Sequence, residues 1–246
     1  MSSLLLLNVL DLARAFGNDP LSANAETVAE WLLTEYARKE GGGFNYNPAI
    51  QTLHDLFRGA VDYRAAVRHC ELTGNPKGHR QNVEAIKTVA PYVTSNLSAC
   101  YRIGFSAVSV GRIKEKTVYV GIKAPLVRVA DHEAFVVMPG FRLSHRPSER
   151  QIDLACSIAL ANFARDDFAS ADFEYLYAGP GASGGREFRA ILGRDRRIFE
   201  RDEVDALLDV YVQAVAVAID AGLEIRDPNL RGYRIIDPRE PSLFQR

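Results

Sequence analysis

The spacing of apolar residues changes once along this chain, near Ala99, and no other feature limits its possible folds as strongly. Before that point apolar positions recur at helical intervals, as in Val28, Trp31, Leu32 and Tyr36, or Leu53, Leu56 and Phe57. Glycines, prolines and capping residues divide this stretch into about five predicted helices. The first, Leu4 to Phe16, closes at Gly17-Asn18-Asp19-Pro20, a C-cap glycine followed by a proline stop. The second runs from about Ala25 to Glu40, capped by Ser22 or Asn24, and ends at Gly41-Gly42-Gly43. Asn47-Pro48 opens a third, to about Arg58, with proline in its first turn. A fourth spans Asp62 to Leu72, and a fifth spans Arg80 to Val89 and ends near Pro91.

Beyond Ala99, β-branched and aromatic residues take over. Tyr101, Ile103, Phe105, Val108 and Val110 lie on a strand-like stretch broken by Gly104, and runs at 117–122, 126–129 and 134–138 follow. Connections this short predict antiparallel meander strands, not βαβ units. Helix returns at Ser148-Glu149-Arg150-Gln151, an S-x-x-Q capping box. From Ile152 to Ala164 that helix is apolar nearly all round, and so is a last one, Asp202 to Ala221, which stops at Gly222. Such helices are buried. The expected fold is α+β: a helical N-terminal region (1–95), then an α+β domain (96–225) whose mostly antiparallel β-sheet is packed by two long buried helices. An extended C-terminal tail (226–246) follows, with Tyr233, Ile235 and Ile236 docked. A chain of 246 residues can bury a core without disulfides or metals. Cys70, Cys100 and Cys156 are odd in number and widely spaced, which fits buried thiols in a reducing compartment.

One local motif stands out. The run Phe173 to Tyr177 leads into Gly179-Pro180-Gly181-Ala182-Ser183-Gly184-Gly185, which matches G-x-G-x-x-G letter for letter. In a dinucleotide fold those glycines join a strand to a helix whose N-terminal amides hold a pyrophosphate. Here Arg186 to Arg194 alternates like a strand, so the loop is expected to close a β-hairpin and no cofactor is expected. Interest passes to Arg186 and Arg189, which stand beside the loop amides and can bind an anion.

Asp172 and Glu174 are the candidate catalytic carboxylates. Alternation puts both on one strand face, read as an outward polar face opposite Phe173, Tyr175 and Tyr177. Neither has a lysine two positions on, as a metal-dependent nuclease would need. The five histidines are scattered, with no zinc spacing and no G-x-S-x-G elbow, so no metal is expected.

Net charge is −1, which exerts no global pull on nucleic acid. Residues 101–150 nevertheless hold nine Lys/Arg against four Asp/Glu, a net of +5. Within that block Arg142, His145, Arg146 and Arg150 are expected to converge near Ser148, where a helix dipole favours an anion. The Leu4–Leu7 run lacks a preceding basic segment, and Leu207 to Ile219 is too short for a bilayer. A soluble cytoplasmic protein without a membrane partner is expected. With no convergent catalytic set, the leading reading is a non-catalytic interaction protein: an adaptor, an accessory subunit or a homo-oligomer. Nucleic-acid binding through the basic block, and phosphoester or nucleotide processing around Asp172 and Glu174, are the alternatives.

Overall fold

The computed structural model describes residues 3–36, 44–163 and 170–238. Among them are seven α-helices and nine strands in two mixed sheets, an α+β fold. The helices are α1 (Val9–Ala15), α2 (Ala25–Trp31), α3 (Asn47–Phe57), α4 (Tyr63–Leu72), α5 (His79–Ser95), α6 (Glu149–Phe163) and α7 (Arg201–Asp220). The strands are β1 (Leu6–Asn8), β2 (Ala99–Arg102), β3 (Phe105–Ile113), β4 (Lys116–Ile122), β5 (Leu126–Ala130), β6 (Glu133–Gly140), β7 (Asp172–Pro180), β8 (Arg186–Leu192) and β9 (Tyr233–Ile236). One sheet has the order β1-β4-β3-β9 and the other β2-β5-β6-β7-β8.

The strand-like stretch after Ala99 serves both sheets. Gly104, at φ +73, turns the chain between β2 in the five-stranded sheet and β3 in the four-stranded one. The amides of Ile103 and Gly104 both donate to the Pro125 carbonyl there. The hairpins β3–β4 and β5–β6 are antiparallel, as short connections require. The link from β6 to β7 differs, because α6 crosses between them and the two strands run parallel. That is a βαβ unit inside an otherwise meander-like sheet. In the tail, Tyr233–Ile236 docks as β9, parallel to β3.

Two helix expectations change. Residues 6–8 are a strand, not the first turns of a helix: β1 pairs parallel with β4, and Leu5 and Leu7 are buried. The helix begins only after Asn8, whose side chain accepts from the Leu10 amide. At the other end of the helical stretch, α5 continues through Pro91 to Ser95. Its buried Val89, Ala90 and Val93 hold it against the sheet, and tertiary packing overrides the proline. The second helix gives way to a π-helical turn, Leu32–Tyr36, and its expected end near Glu40 lies outside the described residues.

The central strands of the five-stranded sheet, β5, β6 and β7, are buried on both faces. Leu126, Val137, Leu176 and Ala178 pack with α3, α4 and α5. The alternate residues Val127, Val136, Met138, Phe173, Tyr175 and Tyr177 pack with α1, α2, α6, α7 and the four-stranded sheet. Both long late helices are buried in that second core, α6 through Leu154, Cys156 and Ile158 and α7 through Leu207, Tyr211 and Val215.

Candidate functional site

The glycine loop closes an antiparallel hairpin. Pro180 pairs with Arg186, Gly181 and Gly185 are joined by a backbone hydrogen bond, and Gly184 and Gly185 take positive φ of +90 and +70. A strand follows, so the letters of a phosphate signature occur without the helix N-terminus that gives them their chemistry.

Asp172 and Glu174 lie in different surroundings. Asp172 Oδ1 accepts from the Phe173 amide at 2.7 Å, and Oδ2 faces Arg194. Glu174 is 0% exposed, not on an outward face. It forms a bidentate pair with Arg128, which is nearly as buried: Nε donates to Oε2 at 2.7 Å and Nη2 to Oε1 at 2.8 Å. The Tyr92 hydroxyl also donates to Glu174, and Arg128 donates to Ser98 Oγ. The Arg128 guanidinium lies 4.6 Å from the Phe135 ring centroid. Burial and the bond to Glu174 push the Tyr92 pKa up, so its hydroxyl stays protonated. This network joins α5, β5 and β7, and every Glu174 oxygen is engaged within it.

The arginines separate. Arg186 is buried, donating to the carbonyls of Phe141, Ala178 and Gln81 and to the Tyr46 hydroxyl, with its face 5.4 Å from the Tyr46 ring. Arg189 and Arg196 both meet Glu149 at the start of α6, and Arg196 and Arg150 both reach Asp153. Arg146 faces Glu187 at 3.5 Å. The basic block is thus divided between the core, both sheets and several ion pairs; Lys116, for example, pairs with Asp227. The structure brings Arg142 and His145 together and sets Arg150 and Arg189 apart from them.

Arg142 and His145 line a cavity of about 30 Å³ at the carboxyl end of β6, beside the middle of the parallel strand β7. Its other walls are Leu10, Asp11, Gly140, Pro147, Tyr175 and Tyr177. In sheets with parallel strands, ligands gather at such carboxyl ends. Asp11, buried in the first turn of α1, pairs with Arg142 through one guanidinium nitrogen. An arginine carries five N–H groups in a fixed fork, so this pair orients Arg142 and leaves most of its donors for another acceptor. Lys123, half-buried, is close enough to both to feel their charges; burial, then the Arg142 charge, lower its pKa.

Tyr175 is 2% exposed, and its hydroxyl has no hydrogen-bond partner among the described residues. Burial pushes its pKa up, so it remains an O–H donor at any ordinary pH. Gly140 makes room for it, since a Cβ at that position would fall 1.9 Å from the hydroxyl. Tyr177 donates to the Pro180 carbonyl and closes one side.

The predicted capping box sets the opposite wall. Gln151 Oε1 accepts from the Ser148 amide at 3.1 Å, and the Gln151 amide donates back to Ser148 Oγ. The same Oε1 lies 2.8 Å from His145 Nε2, which must therefore carry the proton. Gln151 also donates to the Gly17 carbonyl, tying the start of α6 to the end of α1.

Arg142 and His145 were legible as candidates, whereas Asp11, Gly140, Tyr175 and Tyr177 were not. Asp11 is in the first turn of a helix, Gly140 at a strand end and both tyrosines inside β7, and which of these meet needs the topology to be known. Among the described residues no group of three or more His, Cys, Asp or Glu is placed to hold a metal ion, and no helix is long and apolar enough to cross a membrane. Compared with known protein families, characterised proteins and solved structures, the chain matches none of them.

Proposed function

We propose that this chain is a non-catalytic binding protein whose recognition site is the Arg142–Tyr175 cavity, and that the group it takes is a carboxylate. The observation that carries this reading is the Tyr175 hydroxyl, which opens into the cavity from an otherwise buried side chain and has no partner among the described residues, in the same cavity as an arginine held ready by Asp11. A ligand that fills the cavity takes this hydroxyl out of water and must supply its acceptor, since a donor buried without one costs stability. Size selects the acceptor. A water needs roughly 10–15 Å³ of such space, so a cavity of about 30 Å³ favours a small planar group with two oxygen atoms over a bulkier phosphate. One carboxylate oxygen takes the Tyr175 O–H and the other takes the free edge of Arg142.

A small molecule or the terminal carboxylate of a partner protein would use the same chemistry, and the free thiols favour a cytoplasmic setting for either. The division of the basic block among separate ion pairs gives less support to a nucleic-acid surface, which needs clustered free cations. The test is titration calorimetry with acetate and, as a size control, inorganic phosphate. Acetate is expected to bind in the millimolar range and phosphate more weakly. Arg142→Ala is expected to weaken acetate by about tenfold or more, and Tyr175→Phe by several fold. Acetate binding that is absent, or that is the same in both variants, contradicts the reading.

A further inference from the structure

A second cavity, of about 230 Å³, lies between β3, the end of α6 and the first half of α7, away from Arg142. Val108, Val110, Val204 and Leu208 give it apolar walls. Two buried polar atoms line it without a hydrogen-bond partner among the described residues. Ser109 is 7% exposed and Asn162 8%, and Ser109 Oγ and Asn162 Oδ1 are both unpaired. The Asn162 amide nitrogen already donates to the Ile158 carbonyl at 2.7 Å, so its unused atom is an acceptor only. Ser109 stands where the β3–β4 register shifts, between Ser109 and Gly111. A bulge of this kind re-aims side chains and is common beside binding sites.

The space exceeds what one or two waters need, and it approaches the lower range of small-molecule pockets. Charge at the rim is negative. Arg201 is taken up by Asp205 at 3.0 Å, while the exposed Asp209 has no ion pair among the described residues. An apolar chamber with an orphaned acceptor, a hydroxyl and an acidic rim suits a particular ligand class. We propose that this cavity is a second binding site, for a small molecule with an apolar body and a protonated amine. The ammonium N–H groups bond to Asn162 Oδ1 and Ser109 Oγ, and Asp209 lies close enough to favour the charge. The site stands independently of the carboxylate cavity.

Amide-resolved NMR titration of the full chain with cyclohexylamine hydrochloride tests it, with cyclohexanol and cyclohexanecarboxylate as controls of the same shape. Cyclohexylamine is expected to give saturable shifts at residues 108–110 and 204–209, with a Kd of roughly 1 mM. The carboxylate is expected to give none there, and the alcohol weaker ones. Asn162→Leu is expected to weaken the amine about tenfold and Asp209→Asn two- to threefold. Ser109→Ala deletes only a hydroxyl and serves in place of Asn162→Leu if that variant does not fold. Absence of saturable shifts at these residues, equal binding of all three probes, or affinities unchanged in the variants overturns the proposal.

Discussion

At the scale of single residues, the strongest polar commitment in the molecule is Glu174 with Arg128 and Tyr92. Removing one partner of a buried pair leaves the other charge without compensation, which costs about 3–5 kcal/mol. Glu174→Leu is therefore expected to lower unfolding stability by that much in urea denaturation, and Tyr92→Phe by about 1–2 kcal/mol. The double variant Arg128→Met with Glu174→Leu is expected to recover a large part of the loss, because no charge is then left buried. In the sequence Glu174 alternates with Phe173 and Tyr175 and so reads as a surface residue. Period-2 spacing separates two faces but cannot say that both are covered, and here α5 covers the second. Of the three cysteines expected as buried thiols, Cys70 and Cys156 are buried and Cys100 is half-buried, and burial pushes the Cys70 thiol up to about 12.

At the scale of elements, local chemistry was legible wherever the cause was local. The Ser148–Gln151 capping box, the Asn24 N-cap and the hairpin around Gly184 and Gly185 all depend on residues within a few positions of one another. Elements defined by distant partners were not legible. Leu6–Asn8 is a strand because β4, more than a hundred residues later, offers it an edge. Likewise α5 passes Pro91 because its inner face is held by the sheet. That proline lacks an N–H and crowds the preceding turn, and its position is exposed. Pro91→Ala is expected to raise unfolding stability by about 1 kcal/mol or more, read as an increased midpoint in thermal denaturation.

At the scale of the whole molecule, the α+β class followed from the change of apolar period near Ala99, but the division into two sheets did not. One glycine with positive φ at residue 104 decides it, and a glycine in a strand-like run reads equally well as a bulge. The parallel β6–α6–β7 unit that creates the carboxylate cavity depends on the same long-range arrangement. Ion pairs at the start of α6 also tie this region to β8. Burial raises the Glu149 pKa, but the Arg189 hydrogen bond and the Arg196 and Arg189 charges outweigh it, and the net shift is downward. A carboxyl lowered on folding contributes stability above its unfolded pKa and loses it as pH falls through the folded value. Thermal stability is therefore expected to decline below about pH 5, and less steeply in Glu149→Gln. The central claim is that Arg142 and Tyr175 jointly hold a carboxylate, and a crystal structure at a saturating acetate concentration tests it most directly. The expected result is acetate in the cavity, one oxygen within about 3 Å of the Tyr175 hydroxyl and the other at the Arg142 guanidinium. A cavity holding only water, with Arg142 bonded to Asp11 alone, would contradict it.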